Sequence, residues 1–237
     1  MTSGSGPLAV DRPAEGVLRL RLDRPEQRNA IDTELIEALH GQLAEPGARA
    51  VVLGSTSSAF CSGADLSLDD AERAAVSDRL YALYERMLAV PVPIVAAVAG
   101  HAVGAGAQLL LAADLRVAGP RARIRFPGPG HGLALGGWGL PSLVGRGRAL
   151  DICLTMRPVE ADEALEIGLV ERLEEDPEAA AVELAAAFAQ LQPEAVARVK
   201  RHVTLAAAHA AALAEEREGN RSAWTGSVEG LVRERGS

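Results

Sequence analysis

The chain has 237 residues, 48% of them apolar, and a formal net charge of −8. That is enough for one large domain or two small ones with a buried core. The acidic balance, with no basic run carrying interleaved aromatics, argues against a nucleic-acid surface. Two cysteines, Cys61 and Cys153, are too few for a disulfide scaffold and show no metal-ligand spacing. The start TSGSGPLA lacks the basic and apolar parts of a signal peptide, and the apolar run over 91–113 is broken by glycines and His101. A cytoplasmic protein without a membrane span is therefore expected. Lysine occurs once, at Lys200, among 24 basic residues, which points to a GC-rich genome and says nothing of mechanism.

In chain order, Val17–Leu22 alternates leucine with arginine and predicts a strand with Leu18, Leu20 and Leu22 on one face. Asp32 is placed to cap a helix carrying Leu35, Ile36, Leu39 and Leu43 at helical spacing. A strand at Ala50–Leu53, a helix from Asp69 to Leu88, a strand at Ile94–Val98 and a helix over Gly106–Ala113 continue the alternation. Short strands fit Leu115–Val117 and Arg123–Phe126. After Pro158 only helices are expected: Glu160–Leu169, Glu178–Gln190, Glu194–Ala212 and Ala214–Val232. Glu215, Glu216 and Glu218 read there as a solvated face. Together the elements form a β/α chain.

The stretch Pro91–Leu111, PVPIVAAVAGHAVGAGAQLLL, carries the most chemistry, because an apolar strand breaks into GHAVGAG and resumes as an apolar helix. Small residues at Gly104, Ala105 and Gly106 let a ligand lie on the backbone, where the first N–H groups of the helix are unpaired. The spacing is neither G-x-G-x-x-G nor G-x-x-x-x-G-K-[ST], so it suits an oxyanion hole better than a nucleotide cradle. A close strand-to-helix crossing needing glycine only for packing is the competing reading. Ala50–Leu66 repeats the pattern, with a strand followed by a small-residue loop ending in Gly63-Ala64-Asp65.

With RPEQRNA at Arg24–Ala30, AFCSGADL at Ala59–Leu66 and AAVAGHAVGAG…LLLAADLRVA over Ala96–Ala118, the chain resembles the enoyl-CoA hydratase/isomerase (crotonase) superfamily from about Val17 to Arg235. The resemblance implies an α/β spiral of repeated ββα units with a helical trimerisation region at its C-terminal end. Residues 1–8 are then a disordered N-terminus, 9–174 the spiral core and 175–237 the helical region. It further implies that the N–H groups of Ala64 and Ala105 hold the thioester oxygen of an acyl-CoA. Alanine stands at 105 where most relatives have glycine; the donor survives and the room around it shrinks.

The two glutamates by which the family's hydratases activate water fall on Gln108 and Gly128. An amide can hold a water but not take its proton, and glycine offers no acid. His131, in the same loop as Gly128, is the candidate replacement base; an ordinary loop histidine is the alternative. His101 is expected to pack rather than transfer protons. Arg24 and Arg28 flank the loop that in the family lies near the nucleotide, and they are read equally as phosphate ligands or as surface ion pairs. Ser62 and Leu66 match positions whose backbone meets adenine and pantetheine. Asp65 is expected to tie its loop. Gly104 and Trp138 border the acyl group by the same resemblance, Trp138 being equally readable as a core residue. Cys61, beside the presumed hole, reads as a small packed thiol.

GAG-x-QL at Gly104–Leu109, FP at Phe126-Pro127 and GLAL-x-x-W at Gly132–Trp138 are most similar to an actinobacterial branch lacking both glutamates, whose members are described as binders of fatty acyl-CoA. The expectation is an acyl-CoA-binding protein, nominally an enoyl-CoA hydratase, with coenzyme A thioester as ligand and no bound cofactor. It would form a homotrimer or a dimer of trimers. Two alternatives stay open: an isomerase, decarboxylase or thioester hydrolase using another base, and a non-enzymatic carrier presenting acyl-CoA to a lipid-synthesis partner. No G-x-S-x-G elbow supports serine hydrolase chemistry.

Overall fold

Each turn of the chain adds a strand to one sheet, a strand or single bridge to a second sheet, and then a helix. The computed structural model describes residues 6–65, 70–204 and 207–223. The first unit is a hairpin of β1 (Leu8–Ala14) and β2 (Val17–Leu22), a bridge at Ile31 and helix α1 (Thr33–Ala44). The second is β3 (Ala50–Ser55), bridges at Cys61 and Ala64, and α2 (Asp70–Ala89). The third is β4 (Ile94–Val98), β5 (His101–Val103) and α3 (Ala105–Ala112). β6 (Leu115–Ala118) and β7 (Arg123–Arg125) lead to α4 (Leu140–Val144) and α5 (Arg146–Thr155). β8 (Val159–Glu160), α6 (Ala161–Glu166) and β9 (Arg172–Leu173) close the spiral. Helices α7 (Pro177–Ala189), α8 (Pro193–Thr204) and α9 (Ala207–Ala223) follow.

The first sheet has the order β1-β2-β3-β4-β6-β9, parallel from β2 onward, and the second the order β5-β7-β8. Bridges from Cys61 to Ala102 and from Ile31 to Ala64 extend the second sheet. This is the α/β crotonase fold.

The central strands AVVL and IVAAV are apolar throughout because both sheet faces are covered. Val51, Leu53, Ile94 and Ala96 join the main core with the leucines of α1 and α3. Ala50, Val52, Val95 and Ala97 face Ala181, Ala185 and Ala189 of α7 instead, a stripe at four-residue spacing. Within the stretch assigned to C-terminal helices, α7 is thereby a layer of the core. The single lysine has a packing role as well: Lys200 Nζ meets Asp114 Oδ2 at 2.7 Å and the carbonyls of Met87 and Val92 at 3.0 Å each.

Several sequence expectations are corrected. β1 begins at Leu8, and Pro7 already accepts a bond from the Asp23 N–H at 2.8 Å, so the described chain starts inside the stretch expected as a disordered tail. The region after Pro158 is not all helix, since β8 and β9, at two residues each, exist only through pairing with β7 and β6 and leave no periodicity to read. β5 was hidden the same way inside the glycine-rich turn. α8 is described to Thr204 and α9 from Ala207, where a single helix was expected to run on to Ala212.

Candidate functional site

Strand pairing builds the centre of the site. Cys61 N–H donates to His101 O at 3.0 Å and Val103 N–H to Cys61 O at 2.9 Å, so residues 61–63 run beside β5. On their other side Ile31 N–H donates to Gly63 O at 2.8 Å and Asp65 N–H to Ile31 O at 2.9 Å. In a parallel ladder this pattern turns the N–H of the bridging residue, Ala64, away from Ile31. Gly104, at φ +56° and ψ −115°, takes a backbone shape closed to side-chain-bearing residues and swings the chain from β5 into α3. A Cβ built on Gly104 would lie 4.0 Å from Gly63 Cα, so the 63–64 and 104–105 backbones approach closely. Ala105 is the first residue of α3, and its N–H has no intrahelical acceptor. Among the described residues neither the Ala64 nor the Ala105 N–H has a backbone acceptor. Tyr84 steadies this turn by donating its hydroxyl to Ala105 O at 3.3 Å.

The positions further from the turn are filled by protein. Gln108 is 2% exposed, and its Oε1 accepts from Trp138 Nε1 at 2.9 Å and from Gly136 N–H at 3.3 Å. Gly128 has helical backbone angles, yet a Cβ there would meet Leu133 O at 2.6 Å and both Cγ and N of Leu135 at 2.9 Å. Gly128 O in turn accepts from His131 N–H at 2.8 Å and Leu133 N–H at 2.9 Å. The loop folds back over Gly128 and leaves no room for any side chain.

Residues 12–231 match the enoyl-CoA hydratase/isomerase family. The chain belongs to that family. It is 44% identical over 194 residues to the "Probable enoyl-CoA hydratase echA6" of Mycobacterium tuberculosis, covering 79% of each chain. A solved enoyl-CoA hydratase/isomerase from Mycobacterium paratuberculosis superposes with a TM-score of 0.85 at 27% identity, covering 94% of this chain and 95% of that one. An enoyl-CoA hydratase from Bacillus anthracis gives 0.81 at 28% identity, with 97% and 96% covered.

Sequence reasoning missed an acid that this family member brings to the site from α9. Glu216, expected on a solvated face, is 6% exposed, whereas Glu215 and Glu218 are exposed. Leu213, Glu216 and Asn220 share one face at spacings of three and four, and that phase was the available signal. Glu216 Oε1 accepts from Tyr81 Oη at 2.9 Å and Gly136 N–H at 3.3 Å, and Oε2 accepts from Trp138 N–H at 3.2 Å. Burial pushes this carboxyl up to about 7 despite those bonds. One turn on, Asn220 donates to Ala134 O at 2.6 Å and to Tyr81 Oη at 2.8 Å, and accepts from Ala134 N–H at 2.8 Å. The last helix thus clamps the loop over 134–138 on both sides of Leu135.

The remaining expected site residues divide. Trp138 is 3% exposed and stacks on Tyr84 at 6.1 Å between ring centroids, which places it in the core behind Gln108. Arg24 Nη2 pairs with Asp32 Oδ2 at 2.8 Å and stands 3.9 Å from Asp65 Oδ2, while its Nη1 bonds Ala30 O. Arg28, at φ +51°, is exposed. Its carbonyl accepts from Ser62 N–H at 3.1 Å, and Ser62 Oγ donates to Gln27 O at 3.3 Å. Asn29, whose role was not assigned from sequence, is fully buried and donates to Ala59 O at 2.9 Å and Phe60 O at 3.1 Å, joining this loop to the segment that leads into Cys61. Leu66 lies outside the described residues. His131 ends a short 3-10 turn and is exposed. His101 is exposed on β5 and does not pack, because its strand faces solvent at that residue. Burial pushes the Cys61 thiol up to about 12, which suits a packed thiol and not a nucleophile. Among the described residues no cluster of acidic, histidine or cysteine side chains could hold a metal, and no helix is long and apolar enough to cross a membrane.

Proposed function

We propose that this family member binds acyl-CoA thioesters through the N–H groups of Ala64 and Ala105 and lacks ordinary hydratase turnover. The observation that carries the reading is the closure over Gly128. With position 128 blocked by Leu133 and Leu135, and the Gln108 carbonyl engaged by Trp138 and Gly136, neither position offers water a base. Backbone dipoles need no such side chains, so recognition of the thioester oxygen is independent of that loss. Gln108 and Gly128, standing where the resemblance places the two glutamates, support assignment to the acyl-CoA-binding branch. By the same resemblance it assembles as a trimer or dimer of trimers and serves a lipid-synthesis partner in the cytoplasm.

Two measurements test this. Crotonyl-CoA hydration should be slower than in a complete hydratase by at least about 10³. Calorimetry should detect acyl-CoA, with affinity rising by up to about 0.8 kcal/mol for each buried CH₂. Turnover at the usual hydratase rate in protein free of host enzyme refutes the first half; no binding at any chain length refutes the second. If a different reaction is found, His131→Ala decides whether that exposed imidazole is its base.

A further inference from the structure

We infer that Leu135 determines which acyl groups the site accepts, walling the first carbons of the chain so that plain acyl groups are favoured over 3-hydroxyacyl groups. The inference rests on the acyl-CoA reading above and goes beyond it in naming the ligand class. Leu135 spans the gap between two landmarks. Its Cγ lies 2.9 Å from where a Cβ on Gly128 would stand, and its Cδ1 lies 3.9 Å from where a Cβ on Gly104 would stand. A branched apolar side chain therefore occupies the direction in which a residue at 128 would project, and reaches the glycine that shapes the hole.

The wall is held from behind. Ala134 is bonded through both its N–H and C=O to Asn220, Gly136 N–H is shared by Gln108 Oε1 and Glu216 Oε1, and Leu135 O accepts from Cys153 Sγ at 3.4 Å. Retreat of the loop backbone would break these bonds, so Leu135 is presented from a fixed segment. The nearest polar side chain on α3, Gln108, already spends its carbonyl on Trp138 and Gly136. A hydroxyl on the third acyl carbon, set against Leu135, would exchange its water for an apolar side chain. An apolar wall rejects an added hydroxyl by about 10- to 10²-fold.

Calorimetry with hexanoyl-CoA and 3-hydroxyhexanoyl-CoA tests the inference. The native protein should prefer hexanoyl-CoA by about 10- to 10²-fold. Leu135→Ala, which admits water, should compress the preference to within about threefold, and Leu135→Thr, which supplies a hydroxyl, should raise affinity for the hydroxylated ligand. The native ratio decides the matter even if a variant fails to fold: hexanoyl-CoA binding without discrimination overturns the role of Leu135 and leaves the acyl-CoA reading standing. An unchanged preference in a folded Leu135→Ala also overturns it. Failure of the native protein to bind either thioester sinks the acyl-CoA reading itself.

Discussion

The two ends of the site are made of different material, and they differ in what a substitution can change. At Ala64 and Ala105 the groups are backbone N–H, aimed by strand pairing on both sides of residues 61–65 and by the turn at Gly104. Around 108, 128 and 216 they are side chains and a folded-back loop, held by Tyr81, Trp138 and Asn220. Side chains can be exchanged one at a time while the fold persists, whereas the hole is a property of the spiral itself. On the proposed reading, proton-transfer side chains can be lost from such a site while the backbone donors stay in place.

The largest expected effect comes from trying to undo that divergence. Gly128→Glu must displace backbone atoms, Leu133 O and Leu135 N, and not only the end of a flexible side chain. Such overpacking costs about 3 kcal/mol, or roughly 6–12 °C of melting temperature for a chain of this size. It should bring no hydration. A Gly128→Glu protein that melts like the native one and hydrates crotonyl-CoA would erase the distinction between the two ends.

Glu216 gives the next effect, through pH. Its folded value, about 7, lies above the ordinary 4.5, so the folded state holds this proton more tightly than the unfolded chain. Stability should therefore fall as pH rises from about 4.5 to about 7 and level off above, by about 3 kcal/mol in all. Asp78, held at about 2 by Arg217 and Arg221, titrates well below that window. Thermal melts between pH 5 and pH 8 should show the decline in the native protein and a flat profile in Glu216→Gln. An equal slope in both would remove Glu216 as its source.

The hole itself is tested by deleting a donor without disturbing the helix. Proline is accepted at the first helical position, so Ala105→Pro removes the N–H while α3 persists. Acyl-CoA affinity should drop about 10- to 10²-fold, the worth of a buried hydrogen bond to a polar ligand oxygen. Unaltered affinity in a folded variant would mean that the thioester oxygen binds elsewhere.

How much of this was legible in the sequence follows the same division. The boundaries of β2 and β4, the Asp32 cap with its 2.9 Å bond from Leu35 N–H, and the turn into α3 all rest on local periodicity and residue shape. The close approach of the 63–64 and 104–105 backbones was readable for that reason, since it needs only small residues at the end of a strand. Glu216 and Asn220 left only their shared helix phase as a signal, because each acts through a partner far along the chain: Tyr81 lies 135 residues from Glu216 and Ala134 lies 86 from Asn220. Nor does the sequence distinguish a glycine that leaves room from one that is covered. From sequence Gly128 shows only that no acid stands there, and the structure adds that Leu133 and Leu135 cover it.

The smallest effect separates the two arginines read alike from sequence. Arg24 is engaged by Asp32, Asp65 and Ala30 O, and its role is to hold the loop. Arg28 stands at the loop's exposed tip with a carbonyl that ties down Ser62. If the nucleotide of a coenzyme A thioester passes over this loop, Arg28 is the side chain whose guanidinium can meet a phosphate without giving up such a set of partners. An exposed charge acts through water and salt, so Arg28→Ala should weaken binding only about two- to fivefold at low ionic strength and less at 0.5 M salt. Melting should be unchanged. Arg24→Ala should do the reverse, lowering the melting temperature with a salt-insensitive loss of affinity. If both variants lose affinity with the same salt dependence, the phosphates contact both arginines and the structural role given to Arg24 is wrong.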